Sequence, residues 1–178
     1  MERFEVEGKT YIYHNGNYFD ESYCKLCNAE LRKVIQYRNN HANYEDMTYD
    51  ELLDTIKIHK DNEIYVIAKS AAEFCLRKFG DDDSVVKTIL PILSSCYRKL
   101  NQPNEAIGRT LPYMNPSTSS PALFTSLAAA YCDIGDYVNA KRYAGRAYAR
   151  VATLPNEYKI EISNVYARLR AILDDEKK

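Results

Sequence analysis

The chain has 178 residues, enough to bury a core as one domain or as a domain with an appendage. With 46% hydrophobic and 28% charged residues it reads as an ordinary soluble protein, and no apolar run approaches the roughly 18 residues that a membrane span needs. A net charge of −1 argues against a generic nucleic-acid binder, and Met1-Glu2-Arg3-Phe4 does not begin a signal peptide.

The first twenty residues alternate as strands do. Arg3-Phe4-Glu5-Val6-Glu7 alternates, Gly8-Lys9 turns, and Thr10-Tyr11-Ile12-Tyr13-His14 alternates again. Asn15-Gly16 is a strong hairpin signal, because both turn positions want φ > 0. Asn17-Tyr18-Phe19 completes a three-stranded meander, too small to be stable alone. Asp20 or Ser22 is expected to cap a helix reaching about Tyr37, with Tyr23, Leu26, Cys27, Leu31 and Val34 on its apolar face. Residues 38–46 read as a polar loop. Thr48-x2-Glu51 is a capping box opening a short helix with Leu52, Leu53 and Ile56. Asp61 is expected to begin a stronger helix carrying Ile64, Ile67, Ala68, Ala71, Cys75 and Phe79 and ending at Gly80. Asp81-Asp82-Asp83-Ser84 supplies the next cap, with charge suited to a helix N-terminus. The helix after it runs to about Leu100, and Pro91 inside it should kink it or mark its first turn. Pro103, Pro121 and Pro155 open later helices.

From Lys87 to Leu154 one pattern occurs twice. Leu90, Leu93, Ser94, Tyr97, Asn101, Ala106, Thr110 and Tyr113 each lie 34 residues before Phe124, Leu127, Ala128, Tyr131, Gly135, Ala140, Ala144 and Ala147. Positions 4, 7, 8 and 11 of each unit share a helical face. The small residue beside Leu and the Ala at position 20 let paired helices approach, and Gly135 stands where the chain reverses. This register resembles the tetratricopeptide repeat (TPR) family: bulky-x2-Leu-small-x2-Tyr on one helix, Gly-Asp-Tyr at the turn, small residues on the next. The resemblance implies a mainly α fold, a short TPR-like antiparallel helical solenoid with an N-terminal β-meander. The expected division is 1–20 as the meander, 21–80 as N-terminal helices and 81–178 as repeats with a C-terminal capping helix. Moving the frame back one unit suits Ala72, Leu76 and Phe79 but puts His59, Lys60 and Glu63 at positions 7, 8 and 11. Residues 48–79 therefore read as a degenerate pair closing the stack. Moving it forward gives a capping helix with Tyr158, Ile162 and Val165 inward.

Chemistry is sparse. Five cysteines (Cys24, Cys27, Cys75, Cys96, Cys132) are an odd, scattered set, read as reduced thiols of a cytoplasmic protein rather than a disulfide framework. Cys24-x2-Cys27 has metal-like spacing, but a zinc site needs two more ligands and the only histidines are His14, His41 and His59. No phosphate loop, His-Glu-x2-His or nucleophile elbow is present, so neither an enzyme nor a cofactor is expected. His59, a turn from Asp54 and Glu63, reads as part of an exposed helix of mixed charge. Residues 1–86 carry 11 Lys/Arg against 17 Asp/Glu, and residues 87–178 carry 13 against 8. That asymmetry either attracts an acidic partner to the repeat half or pairs the two halves, within or between copies.

Partner binding is what the family resemblance implies. Its concave positions fall here on Thr88, Pro91, Ser95, Arg98 and Lys99, on Ala122, Thr125, Ala129, Cys132 and Asp133, and on Asn156, Lys159 and Ser163 in the last helix. Small residues along this wall would let a peptide or helix of a partner protein approach, with Arg98, Lys99 and Lys159 for acidic groups. The carboxylate clamp of some members is missing, since Pro91, Ser95 and Ser126 occupy its positions. Arg142, Arg146 and Arg150, at i, i+4 and i+8, form a second, weaker candidate for acidic or phosphate groups beside the simpler reading of a solvated face. Two alternatives stand next to the adaptor: self-assembly through the meander edge or the charge asymmetry, and a regulatory or metal-binding role for Cys24 and Cys27.

Overall fold

The computed structural model describes residues 1–14, 17–41, 44–114, 120–150, 152 and 156–175. Strands β1 (Glu2–Val6), β2 (Lys9–His14) and β3 (Asn17–Asp20) form an antiparallel sheet in the order β1-β2-β3. The first turn is Glu7-Gly8 rather than Gly8-Lys9, with φ of 51° and 78°. Val6 pairs with Lys9 across it, as a two-residue turn with φ > 0 at both positions requires. His14 pairs with Asn17 on either side of Asn15-Gly16, which itself lies outside the described residues. Val6, Tyr11 and Tyr18 are buried against Val34 and Ile35 of α1 (Asn28–His41) and Ile67 of α3 (Tyr65–Phe79). Helix α1 starts later and ends later than its sequence pattern suggests. The Asp20 carboxylate accepts from the N–H groups of Ser22 and Cys24 in a local turn, and Tyr23 takes φ of 60°. A side chain engaged in such a turn offers the backbone an alternative to helix.

Helix α2 (Tyr49–Asp61) opens on the predicted capping box, with Thr48 Oγ1 accepting from Glu51 N and Glu51 Oε2 accepting from Thr48 N. It continues to Asp61, where a new helix was expected to begin. The reversal falls at Asn62-Glu63, with Glu63 at φ of 60°, and α3 follows. Helix α4 (Asp83–Lys99) is capped by Asp82 and carries Pro91 inside it, so Pro91 is interior and not its first turn. Pro91 has no N–H to donate to the Lys87 carbonyl.

Helices α5 (Pro103–Thr110), α6 (Pro121–Asp133), α7 (Tyr137–Tyr148) and α8 (Asn156–Asp175) complete the chain. The Pro155 expected to open α8 lies outside the described residues. Every inward position of the first unit from Leu90 to Thr110 is buried, as are Phe124, Leu127, Ala128, Ala140, Ala144 and Ala147 of the second. Tyr113 breaks the match at 50% exposure, because α5 gives way to a 3-10 turn at Leu111–Tyr113 around Pro112. Asn101 and Gly135 both adopt left-handed backbone, with φ of 60° and 79°. Helices α4, α6 and α8 pack successively side by side, while α5 and α7 lie behind them. Helix α2 packs on α3, and α3 on α4. Tyr97 of α4 donates its hydroxyl to Glu73 of α3; burial, then that carboxylate, pushes the phenol up to about 12. The arrangement is a helical repeat with an N-terminal β-meander. Among the described residues no helix is long and apolar enough to cross a membrane.

Candidate functional site

A cleft of about 700 Å³ lies between α4 and α8, above the C-terminal end of α6. Periodicity on α4 places Pro91, Ser95, Arg98 and Lys99 along one wall, and α6 contributes Asp133 at its last turn. These are five of the predicted groove residues. The opposite wall comes from α8: Tyr158 and Val165, which the repeat frame places inward, together with Ile160, Glu161, Asn164 and Arg168, none of them among its predicted groove positions. Lys60 of α2 stands at the margin.

Arg98 organises the floor. Its Nε donates to Asp133 Oδ2 at 2.6 Å, its Nη1 donates to Glu161, and Arg168 Nη1 donates to Asp133 Oδ1 at 2.7 Å. The Arg98 side chain is only 17% exposed. The carboxylates raise its pKa against the opposing effect of burial, so the guanidinium stays charged. Arg98 therefore already has two carboxylate partners, rather than standing open for an acidic partner as expected. Helix α8 leans over α6 far enough to touch α4. Thr125, Ala129 and Cys132, in the middle of the predicted groove, are buried. Ala129 and Cys132 pack in the cluster that includes Ile162, Val165 and Leu169 of α8, and Thr125 donates to the Pro121 carbonyl.

The remaining groove candidates are dispersed. Thr88 is half-buried with its hydroxyl on the Ser84 carbonyl, and Ser163 is exposed with its hydroxyl on the Lys159 carbonyl. Asn156 is exposed and Lys159 half-buried; neither lines the cleft. In the basic stripe, Arg142 and Arg150 are exposed, with Arg142 also 6.0 Å from the Tyr143 ring centre, and Arg146 lies over the Phe124 ring at 5.8 Å and the Tyr143 ring at 5.9 Å. Ala122 is half-buried at the start of α6.

The other candidate chemistry separates. Cys24 and Cys27 are exposed in the connection before α1, so neither sits on the apolar helix face expected for Cys27. Among the described residues no group of three or more His, Cys, Asp and Glu is placed to hold a metal. The side chain of His41 lies outside the described residues. Within the acidic run, Asp82 caps α4 and Asp83 pairs with Lys87 at 2.5 Å. His59 is not on an exposed face: it is 1% exposed, in the slot where the repeat places leucine. Its Nδ1 lies 2.7 Å from the Thr55 carbonyl and its Nε2 lies 3.4 Å from the Tyr18 hydroxyl. A carbonyl only accepts, so Nδ1 carries the hydrogen and Tyr18 donates to Nε2. Burial draws the pKa of His59 below 6.5, outweighing the Thr55 carbonyl, and the Arg38 charge adds to the fall. Sequence periodicity held the signal, since Leu52, Ile56 and His59 follow i, i+4 and i+7.

No protein-family model and no curated protein matches the chain. Among solved structures it is similar to the C-terminal TPR-containing domain of a protein described as an FK506-binding protein of Plasmodium falciparum. The two share 15% identity at a TM-score of 0.53, over 76% of this chain and 100% of that one. At that identity the likeness shows the fold: the chain has the architecture of a TPR-containing domain.

Proposed function

We propose that the chain is a non-catalytic protein-interaction module whose α4–α8 cleft holds a short acidic, partly apolar segment of a partner protein. The observation that carries this reading is the make-up of the cleft. On α4 and α8 three cations (Arg98, Lys99 and Arg168) face the carboxylates of Asp133 and Glu161, leaving a surplus of one positive charge beside the apolar side chains of Pro91, Ile92, Ile160 and Val165. Ile160, among these, is 64% exposed and open to contact. Lys99 is the exposed cation on the α4 wall. The docked segment is therefore read by α4 and α8, not along the whole inner face of α6.

The test is site-specific crosslinking. A photoreactive residue at Ser95 should capture a discrete partner from lysate of the native host, and Lys99→Glu should suppress that adduct. Adducts equally strong with and without Lys99→Glu would remove the cleft from consideration.

A further inference from the structure

The two edges of the N-terminal sheet differ. Outside β3, the Asp20 N–H donates to the Cys24 carbonyl, and Lys25 bridges Phe19, so the chain covers its own edge there. Along β1 no such cover exists among the described residues. Val6 and Lys9 flank a two-residue turn, which makes them a hydrogen-bonded pair, and alternation makes Phe4–Tyr11 and Glu2–Tyr13 hydrogen-bonded pairs too. The N–H and C=O groups of Arg3 and Glu5 therefore point away from β2. Both residues are exposed. Helix α1 does not cover them, because it engages the even-numbered face: Tyr37 stacks on Phe4 with ring centres 6.5 Å apart, and Arg38 bonds Glu2 at 2.7 Å.

We propose that β1 is a docking edge for β1 of a second copy of this chain, running antiparallel with Phe4 opposite Phe4. This register sets each Arg3 opposite the partner's Glu5 as a hydrogen-bonded pair, so both open residues exchange their backbone bonds and their side chains carry opposite charges across the seam. A shift by two residues either way places Glu5 against Glu5 or Arg3 against Arg3, and like charges directly opposite are unfavourable. Phe4, half-buried among Tyr11, Tyr18 and Tyr37, then meets its own copy at the non-hydrogen-bonded position, where side chains approach most closely. The contact is isologous and closes on itself, and it joins the two sheets into one. It uses no part of the α4–α8 cleft, so it stands or falls apart from the partner reading.

Sedimentation velocity of the full chain over a concentration series tests it. A monomer–dimer equilibrium is expected. Arg3→Glu and Glu5→Arg should each raise the dimer Kd about tenfold or more, and the double variant carrying both should regain the parent value. Glu5→Pro removes an outward N–H without touching the ladder to β2, and should abolish the dimer with circular dichroism unchanged. In the unmodified protein, amide exchange at Arg3 and Glu5 should slow as concentration rises, which needs no variant. A parent that stays monomeric throughout overturns the proposal. So does a dimer indifferent to the single reversals, a double variant that fails to recover, or exchange at Arg3 and Glu5 independent of concentration.

Discussion

Arg98 of α4 and Glu161 of α8 lie 63 residues apart in sequence and are in direct contact, with Asp133 of α6 completing the cluster. The two outer helices of the row thus meet over the middle one. Arg98→Ala should leave Glu161 without its partner and cost about 1–3 kcal/mol, the scale of hydrogen bonds to charged groups. Hydrogen exchange should show the loss in α8 before α4. Arg98→Lys should recover part of it at best, because a lysine lacks the fork that reaches two carboxylates at once.

Ala140 is fully buried where α7 crosses α6. Ala140→Leu should overfill that crossing and destabilise the protein by roughly 1–3 kcal/mol. A lowered Tm is the readout; an unchanged one would mean the crossing has slack.

Asn101 and Gly135 hold equivalent left-handed turns, which separates backbone strain from packing. A Cβ on Gly135 would meet only the Tyr137 hydroxyl region, at 3.8 Å, so Gly135→Ala tests the conformation alone. It should cost about 1–2 kcal/mol. Asn101→Gly should be close to neutral by the same chemical-denaturation measurement, since glycine adopts this backbone readily but adds chain entropy when unfolded.

His59 makes stability depend on pH in a defined direction. Its folded pKa is below 6.5, so the unfolded chain binds the proton more readily. Stability from this group is complete above the ordinary histidine range and is lost as pH falls through about 6.5 toward the lower folded value. Urea midpoints measured between about pH 7.5 and pH 5 should show the decline. His59→Leu, which restores the residue type of the repeat, should flatten it. An equal slope in that variant would assign the effect to other groups.

Legibility followed the range of the cause. The Thr48-Glu51 capping box, the i, i+3, i+4 and i+7 spacing within each repeat unit and the chain reversal at Gly135 each arise from residues a few positions apart, and all were readable. The start of α1 was not, because Asp20 had two short-range options and the turn prevailed over the helix cap. The burial of His59 was missed because an imidazole in an apolar slot looks polar until Tyr18 is folded onto it. The α8 wall of the cleft depends on Arg98 reaching Glu161, a contact between distant helices that no local pattern announces. Ala129 and Cys132 carried the positions of a groove wall, yet the packing of α8 against α6 turned them into core.

The Tyr18–His59 link bears on how separable the first twenty residues are. Removing them would strip a hydroxyl donor from a ring sealed inside α2, and would bare Val34, Ile35 and Ile67 together. What looks in outline like a detachable ornament is a lid on the first helical pair, so shortened versions of the chain that begin after β3 should be poor vehicles for studying the repeats.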